Sequence, residues 1–262
     1  MRAVIADWRR SPFTRAHKGE LSSVRPDEFA AQVIRALMTE SSLDPTQIDD
    51  IIVGCAYPEG EQGYNIGRIL SFLGELSHEI PGCTVNRLCG SSMQSILSAS
   101  ANIIAGLGDC FLCGGLESMS RVKRRGFNWS PHPHLIDEYP EAYVNMGITA
   151  ENVASLHGVS RFEQESFALE SHRKAAKSAS EGLFSDEIVT ISANDSEVSV
   201  DGCIRPATSL DSMAKLKPAF IGDGSVTAAT SSPLTDGAAV SYTHLRAHET
   251  EADLVCRLLL EK

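Results

Sequence analysis

Apolar and polar positions fall in alternating blocks along the first 120 residues. Val4-Ile5-Ala6 reads as a short strand. Pro26 suits a helix start, and Phe29, Val33 and Leu37 then fall four apart on one helical face. Asp44-Pro45 breaks that helix. Ile51 to Cys55 is a continuous apolar run bounded by polar residues, as expected of a strand covered on both faces. Gly63 to Arg68 opens a second helix with apolar positions Ile69, Leu70, Phe72 and Leu73. Thr84-Val85 ends another strand. After a polar turn comes a third helix, with Met93, Ile96, Leu97, Ile103, Ile104 and Leu107 at three- and four-residue steps and Gly106 and Gly108 closing it. Phe111-Leu112-Cys113 makes a further buried strand. Segments alternating in this way predict an α/β layer of parallel strands with helices on both faces.

The pattern changes after Ser120. Arg121, Lys123, Arg124 and Arg125 form a basic run, and Asn128 to His134 is loop chemistry. The basic run invites a phosphate-site reading, but a solvated loop accounts for it more simply. Ser160-Arg161-Phe162-Glu163 is a capping box that starts a helix reaching about Ser180, with Gly182 just beyond.

Composition narrows the classes. At 262 residues the chain is one large domain or two small ones. A formal net charge of -11 argues against general nucleic-acid binding, which needs a clustered positive surface. It leaves room for an anionic small ligand held by a few local cations. The N-terminus meets Asp7 and then Trp8-Arg9-Arg10 before a signal-peptide core can develop, and no run approaches a membrane span. Seven cysteines, odd in number and without regular spacing, fit a reducing compartment, so the cytoplasm is the expected location.

One stretch carries candidate chemistry: Val85-Asn86-Arg87-Leu88-Cys89-Gly90-Ser91-Ser92-Met93-Gln94. The pattern puts Cys89 at, or one residue before, the start of the third helix. Unpaired backbone N–H groups and the positive end of the helix dipole favour a thiolate there. Gly90, Ser91 and Ser92 leave little bulk beside the sulfur, so a long substrate can approach. A buried structural cysteine is the bland alternative. Other pairs are weaker. Cys110-x-x-Cys113 lies in a strand whose alternation points its ends to opposite faces. His132-Pro133-His134 reads as loop, and His244 and His248 lack the glutamate of a zinc-protease motif.

The Cys89 stretch resembles the nucleophile motif of the thiolases, the acetyl-CoA acyltransferases. Gly114-Gly115-Leu116-Glu117-Ser118-Met119-Ser120 resembles that family's next signature. Arg10 to Arg15 is similar to its segment after the first strand, and Met146 to Asn152 to part of its inserted domain. Ser225 to Ala239 also matches, especially the fatty-acid-degrading members, with Thr230 and Pro233 where others differ. The resemblance implies a thiolase-like fold: an N-terminal βαβαβ half over 1–120, a mainly helical CoA-binding insertion over 121–217, and a return into the first half over 218–240. It stops near Val240, and 241–262 reads as translated adaptor or vector sequence ending a truncated gene.

The activity implied is thiolytic cleavage of a 3-oxoacyl-CoA through a Cys89 acyl-enzyme, as in fatty acid β-oxidation. Two alternatives are a biosynthetic acetoacetyl-CoA thiolase and a non-catalytic acyl-CoA-binding protein. A ketosynthase is disfavoured, since Asn86-Arg87-Leu88-Cys89-Gly90 differs from the Cys-Ser-Ser type of that related group. The resemblance maps CoA contacts onto Arg205, Ser212, Phe220, Ala228, Ser232 and Met146. For Arg205 alone, without its surroundings, a solvated loop charge is the simpler reading. CoA is implied as substrate, with no metal or prosthetic group, and a homo-oligomer, dimer or tetramer, is implied for the whole protein. The family's activating histidine, second cysteine and oxyanion asparagine have no counterparts in these 262 residues, and Cys256 lacks the Cys-Gly-Gly surroundings. The chain by itself is therefore expected to be inactive.

Overall fold

The structure, a computed structural model, describes residues 3–41, 44–194 and 196–245. In chain order its main elements are β1 (Ala3–Arg10), β2 (Thr14–Arg15), α1 (Pro26–Glu40), β3 (Asp50–Gly54), α2 (Ile66–Leu73), β4 (Gly82–Val85), α3 (Ser91–Ala105) and β5 (Cys110–Ser118). There follow α4 (Pro133–Glu138), α5 (Met146–His157), α6 (Arg161–Ser180), β6 (Ile191–Ala193), β7 (Ser196–Val198), α7 (Leu210–Ala214) and β8 (Thr235–Leu245). They group into two compact units, one of residues 3–127, 186–202 and 235–245, the other of 128–185 and 203–234.

The first unit is built on a sheet of order β1-β8-β5-β3-β4, with β2 also paired to β8. β3 runs parallel to both β4 and β5, as the alternating pattern predicts. The sheet as a whole is mixed, because β8 lies antiparallel to β1 and β5. A strand inserted between two others contributes all its backbone donors and acceptors to the ladder, so β8 pairs the second edge of β5 and ties the edge strand β1 to the sheet.

Helices cover both faces. Phe29, Val33 and Leu37 of α1 are fully buried with Leu70 of α2 against Ile51, Val53 and Leu112 of the sheet. On the opposite face α3 packs Ala99 and Ile103 against Ile52, Phe111 and Cys113. Cys110 belongs to the first core and Cys113 to the second, so this CxxC spacing is split across the sheet.

α3 departs from its sequence pattern. Met93, Leu97 and Ile104 are exposed, and the buried positions are Ser91, Ser95, Ala99 and Ile103. The reason is close approach. A Cβ on Gly54 would meet the Ser91 backbone at 2.3 Å, and one on Gly115 would overlap the Ser92 side chain. Glycine in both strands lets the helix start sit on the sheet, and only small side chains fit between. The Ser95 hydroxyl then donates to the Ser92 and Gly114 carbonyls, at 2.7 and 3.2 Å.

The structure groups three stretches differently from the boundaries expected of the sequence. Residues 186–202, read as part of the insertion, join the sheet unit. Arg10 forks onto both oxygens of Asp201 at 2.8 Å and pairs with Glu187 at 2.7 Å. Ile191, Ala193 and Val198 of the β6–β7 hairpin enter the α1 core. Residues 218–234, read as a return to the first half, belong to the second unit. Residues 241–245, read as foreign tail, continue β8, with Tyr242 1% exposed. Cys256 and His248 lie outside the described residues.

In the second unit the capping box is present as expected: Ser160 caps α6 and Glu163 reaches back to the Ser160 N–H at 2.8 Å. Among the described residues, no helix is long and apolar enough to cross a membrane, and no cluster of His, Cys, Asp and Glu could hold a metal ion.

Candidate active site

The turn between β4 and α3 holds Cys89 one residue before the helix N-cap, Gly90. Leu88, just before it, has φ +48°, a left-handed conformation that costs a branched side chain about 1–3 kcal/mol. Several hydrogen bonds enforce it. Asn86 Oδ1 accepts the Leu88 N–H at 2.9 Å, and the Ser91 hydroxyl donates to the Leu88 carbonyl at 2.6 Å while accepting the Arg87 N–H at 2.9 Å. The Ser91 N–H also bonds the Leu88 carbonyl at 3.0 Å.

Among the described residues Cys89 is the one exposed cysteine; Cys55, Cys110 and Cys113 are buried, and Cys83 and Cys203 half-buried. Burial pushes the Cys55 and Cys113 thiols up to about 12 and the Cys110 thiol up to about 11. These three stay protonated near neutrality, and thiols are far weaker nucleophiles than thiolates. Of the described cysteines Cys89 is the most open to reagent.

The Gly114–Ser120 segment ends β5 beside this turn. Glu117 Oε2 accepts the Ala56 N–H at 2.7 Å, and Oε1 accepts from the Gln62 side chain. Burial raises the Glu117 carboxyl above its ordinary range, opposed by these amide donors. Ala56 in turn accepts Asn86 Nδ2 at 3.0 Å. Asp236, fully buried on β8, accepts from the Ser118 hydroxyl at 3.0 Å and from the Ser120 N–H at 2.9 Å. Arg121 of the basic run pairs with Glu61, which also holds Arg25 at 3.1 Å.

The six residues mapped as CoA contacts all lie in the second unit. Met146 begins α5 and is exposed. Gly147 beside it packs on the Phe220 ring so closely that any side chain there would overlap it. Arg205 is exposed and its N–H bonds His172 Nδ1 at 3.2 Å. The Ser212 hydroxyl donates to the Ser209 carbonyl at 2.7 Å and accepts the Ser209 N–H at 3.1 Å, a cap of α7. Ala228 and Ser232 are exposed on a loop gathered on Thr227, whose carbonyl accepts the Thr230 N–H at 3.2 Å and the Ser231 hydroxyl at 2.8 Å.

Two supports escaped sequence reasoning. Glu151 accepts the N–H groups of Ser225 and Val226 at 2.9 and 2.8 Å and so holds the start of that loop. Arg161 donates to the Met213 and Leu216 carbonyls at 3.0 and 2.7 Å and pairs with Glu165. The lone signal for either was a charged residue on a helix otherwise ready for solvent.

A mixed α/β sheet presenting an exposed cysteine between a strand end and a helix start defines a class of thiol-nucleophile proteins. Within it the family is clear: the family described as "Thiolase, N-terminal domain" matches residues 3–242, and the chain belongs to it. The 3-ketoacyl-CoA thiolase of Bacillus subtilis is 42% identical over 250 residues, covering 90% of this chain and 64% of the relative. That of Saccharophagus degradans is 43% identical over 242 residues, covering 90% and 62%. Human mitochondrial 3-ketoacyl-CoA thiolase, solved in complex with CoA, matches with TM-score 0.81 and 28% identity over 93% of this chain and 65% of that one. The chain thus spans just under two thirds of the length of these relatives.

Proposed function

We propose that this chain is the nucleophile-bearing part of a 3-ketoacyl-CoA thiolase, an acetyl-CoA C-acyltransferase of fatty acid degradation. The observation that carries this is Cys89, exposed at the mouth of a tightly bonded turn while the core thiols are locked as acids.

The Cys89 thiolate attacks the 3-oxo carbon of a 3-oxoacyl-CoA. The bond between C2 and C3 breaks, acetyl-CoA departs as its enolate and takes up a proton, and the shortened acyl group stays on sulfur. CoA thiolate then attacks that thioester and frees Cys89. Sulfur suits the carrier because exchange between thioesters is nearly energy-neutral, whereas a serine ester would be a deeper trap. The Cys89 N–H is the proposed donor to the acyl-enzyme oxyanion. CoA is substrate, held through Arg205, Ser212, Phe220, Ala228, Ser232 and Met146, and no prosthetic group is required. Arginine suits the adenosine end because it stacks on adenine or pairs with phosphate. The whole protein is proposed to be a cytoplasmic homo-oligomer.

Degradative rather than biosynthetic chemistry is favoured by the names of the relatives, and rates on four- and sixteen-carbon 3-oxoacyl-CoA test it. The decisive test is an acyl-enzyme on the whole protein. Incubation with a 3-oxoacyl-CoA should leave a thioester on the Cys89 peptide, and Cys89→Ser should abolish thiolysis; normal turnover by that variant would sink the proposal. The 262 residues alone lack the acid–base partners of the family, so they should not cleave acetoacetyl-CoA above background.

A further inference from the structure

The bonds around Cys89 lead away from it along one path. Leu88 is held left-handed by Asn86 Oδ1, and Asn86 Nδ2 donates to the Ala56 carbonyl at 3.0 Å. The Ala56 N–H, on the other side of the same residue, donates to Glu117 Oε2 at 2.7 Å. Glu117 is braced in turn. Gln62 donates to its other oxygen, and that same amide group also donates to the Tyr57 carbonyl at 2.9 Å. Gln62 Oε1 accepts the Ser118 N–H at 3.0 Å, tying the brace back to β5. The Cys55 N–H bonds the Val85 carbonyl at 3.1 Å, so the residue before Ala56 is fastened to the strand that enters the turn.

We propose that Glu117 is a positioning residue for Cys89: its carboxylate fixes Ala56, Ala56 seats Asn86, and Asn86 sets the left-handed turn that presents the sulfur. The proposal rests on Cys89 being the nucleophile, and names what holds it in place. A left-handed branched residue persists only where its surroundings over-determine it. Asn86 is exposed, so its hydrogen bond to the Leu88 N–H competes with water unless the side chain is anchored elsewhere. The Ala56 carbonyl is that anchor, and Glu117 immobilises it. The geometry also explains why Glu117 follows Gly114-Gly115 at the end of β5. Gly115 seats the start of α3, Gly114 lets β8 lie close on the other edge, and the carboxylate two residues after Gly115 seats the turn before the helix, so one strand end positions both sides of the nucleophile.

The test uses the 262-residue chain and needs no turnover. Cys89 alkylation by iodoacetamide is timed by peptide mapping, with Cys203 in the second unit as internal reference and the thermal midpoint measured alongside. Asn86→Ala and Glu117→Ala are each expected to slow Cys89 alkylation by at least about fivefold with Cys203 unchanged. Glu117→Gln keeps an oxygen for the Ala56 N–H and should return the rate to within about twofold of the parent chain. Asn86→Asp keeps the acceptor for Leu88 but loses the donor to Ala56, and should fall between. A merely structural role predicts a lower thermal midpoint in Glu117→Ala with unaltered Cys89 alkylation of the folded chain, and that result overturns the proposal. Should Glu117→Ala not fold, Asn86→Ala at the exposed end of the relay decides by the same criterion. Failure of the parent chain to label Cys89 ahead of Cys203 overturns the nucleophile reading and this one with it; preferential labelling that survives both alanine variants overturns only the relay.

Discussion

Burial divides the cysteines by what each can do. Desolvation holds Cys55, Cys110 and Cys113 as thiols, whereas Cys89 meets solvent. A brief exposure to an alkylating agent at neutral pH should therefore modify Cys89 well ahead of those three, and denaturant should erase the difference. Glu151 is the corresponding case among carboxylates. Burial alone would raise its carboxyl, but the N–H groups of Ser225 and Val226 and the Ser225 hydroxyl outweigh that and hold it below the ordinary glutamate range. A carboxyl depressed in the folded state stabilises above the unfolded value, about 4.3, and that contribution is lost as pH falls through the folded value. The protection of the Ser225 and Val226 amides, measured against the intrinsic exchange rate at each pH, should fall on acidification through that window. Glu151→Gln should remove the pH dependence while keeping an amide oxygen as acceptor.

At the scale of elements, α1 and α3 show when a hydrophobic pattern can be trusted. α1 meets the sheet through large side chains at its predicted face, and Phe29→Ala should cost about 3–5 kcal/mol, read as a lower urea midpoint with unchanged slope. α3 meets the sheet through Ser91, Ser95 and Ala99 because Gly54 and Gly115 bring the backbones together. Its leucine and methionine stripe marked the outer face instead. Gly54→Ala puts a methyl into the Ser91 backbone and should cost about 2–3 kcal/mol or prevent folding. Because the displaced element begins at the turn that carries Cys89, Cys89 alkylation should change in the same variant. The capping box of α6 and the Gly106 stop of α3 stand where the pattern put them, since each is settled within one turn of helix.

For the whole molecule, β8 is the element on which the sheet depends. It lies between β1 and β5 and carries Asp236 at one end and Tyr242 toward the other. Tyr242→Ala should cost about 3–4 kcal/mol in urea unfolding, a result incompatible with 241–245 being an unpaired tail. The first unit also draws residues 186–202 out of the stretch read as insertion, through Arg10, Asp201 and the β6–β7 hairpin. On its surface Leu88, Met93, Leu97, Ile104 and Leu107 are all exposed. So much apolar area on one helix and its flanks should bind a hydrophobic dye and promote self-association of the 262-residue chain, measurable by light scattering.

By itself the sequence determined what short-range chemistry decides: the strand–turn–helix around Cys89, the apolar face of α1, the capped α6, and the family those motifs resemble. Each signal lies within about ten residues, where backbone geometry and side-chain spacing act directly. Only the tertiary structure decided which face of α3 is buried, where β8 inserts, which unit holds 186–202, and that Glu117 reaches Asn86 through Ala56. Those outcomes depend on partners dozens to hundreds of residues apart, and a linear pattern holds no record of which strand will lie beside which, or how closely two glycines will let a helix come.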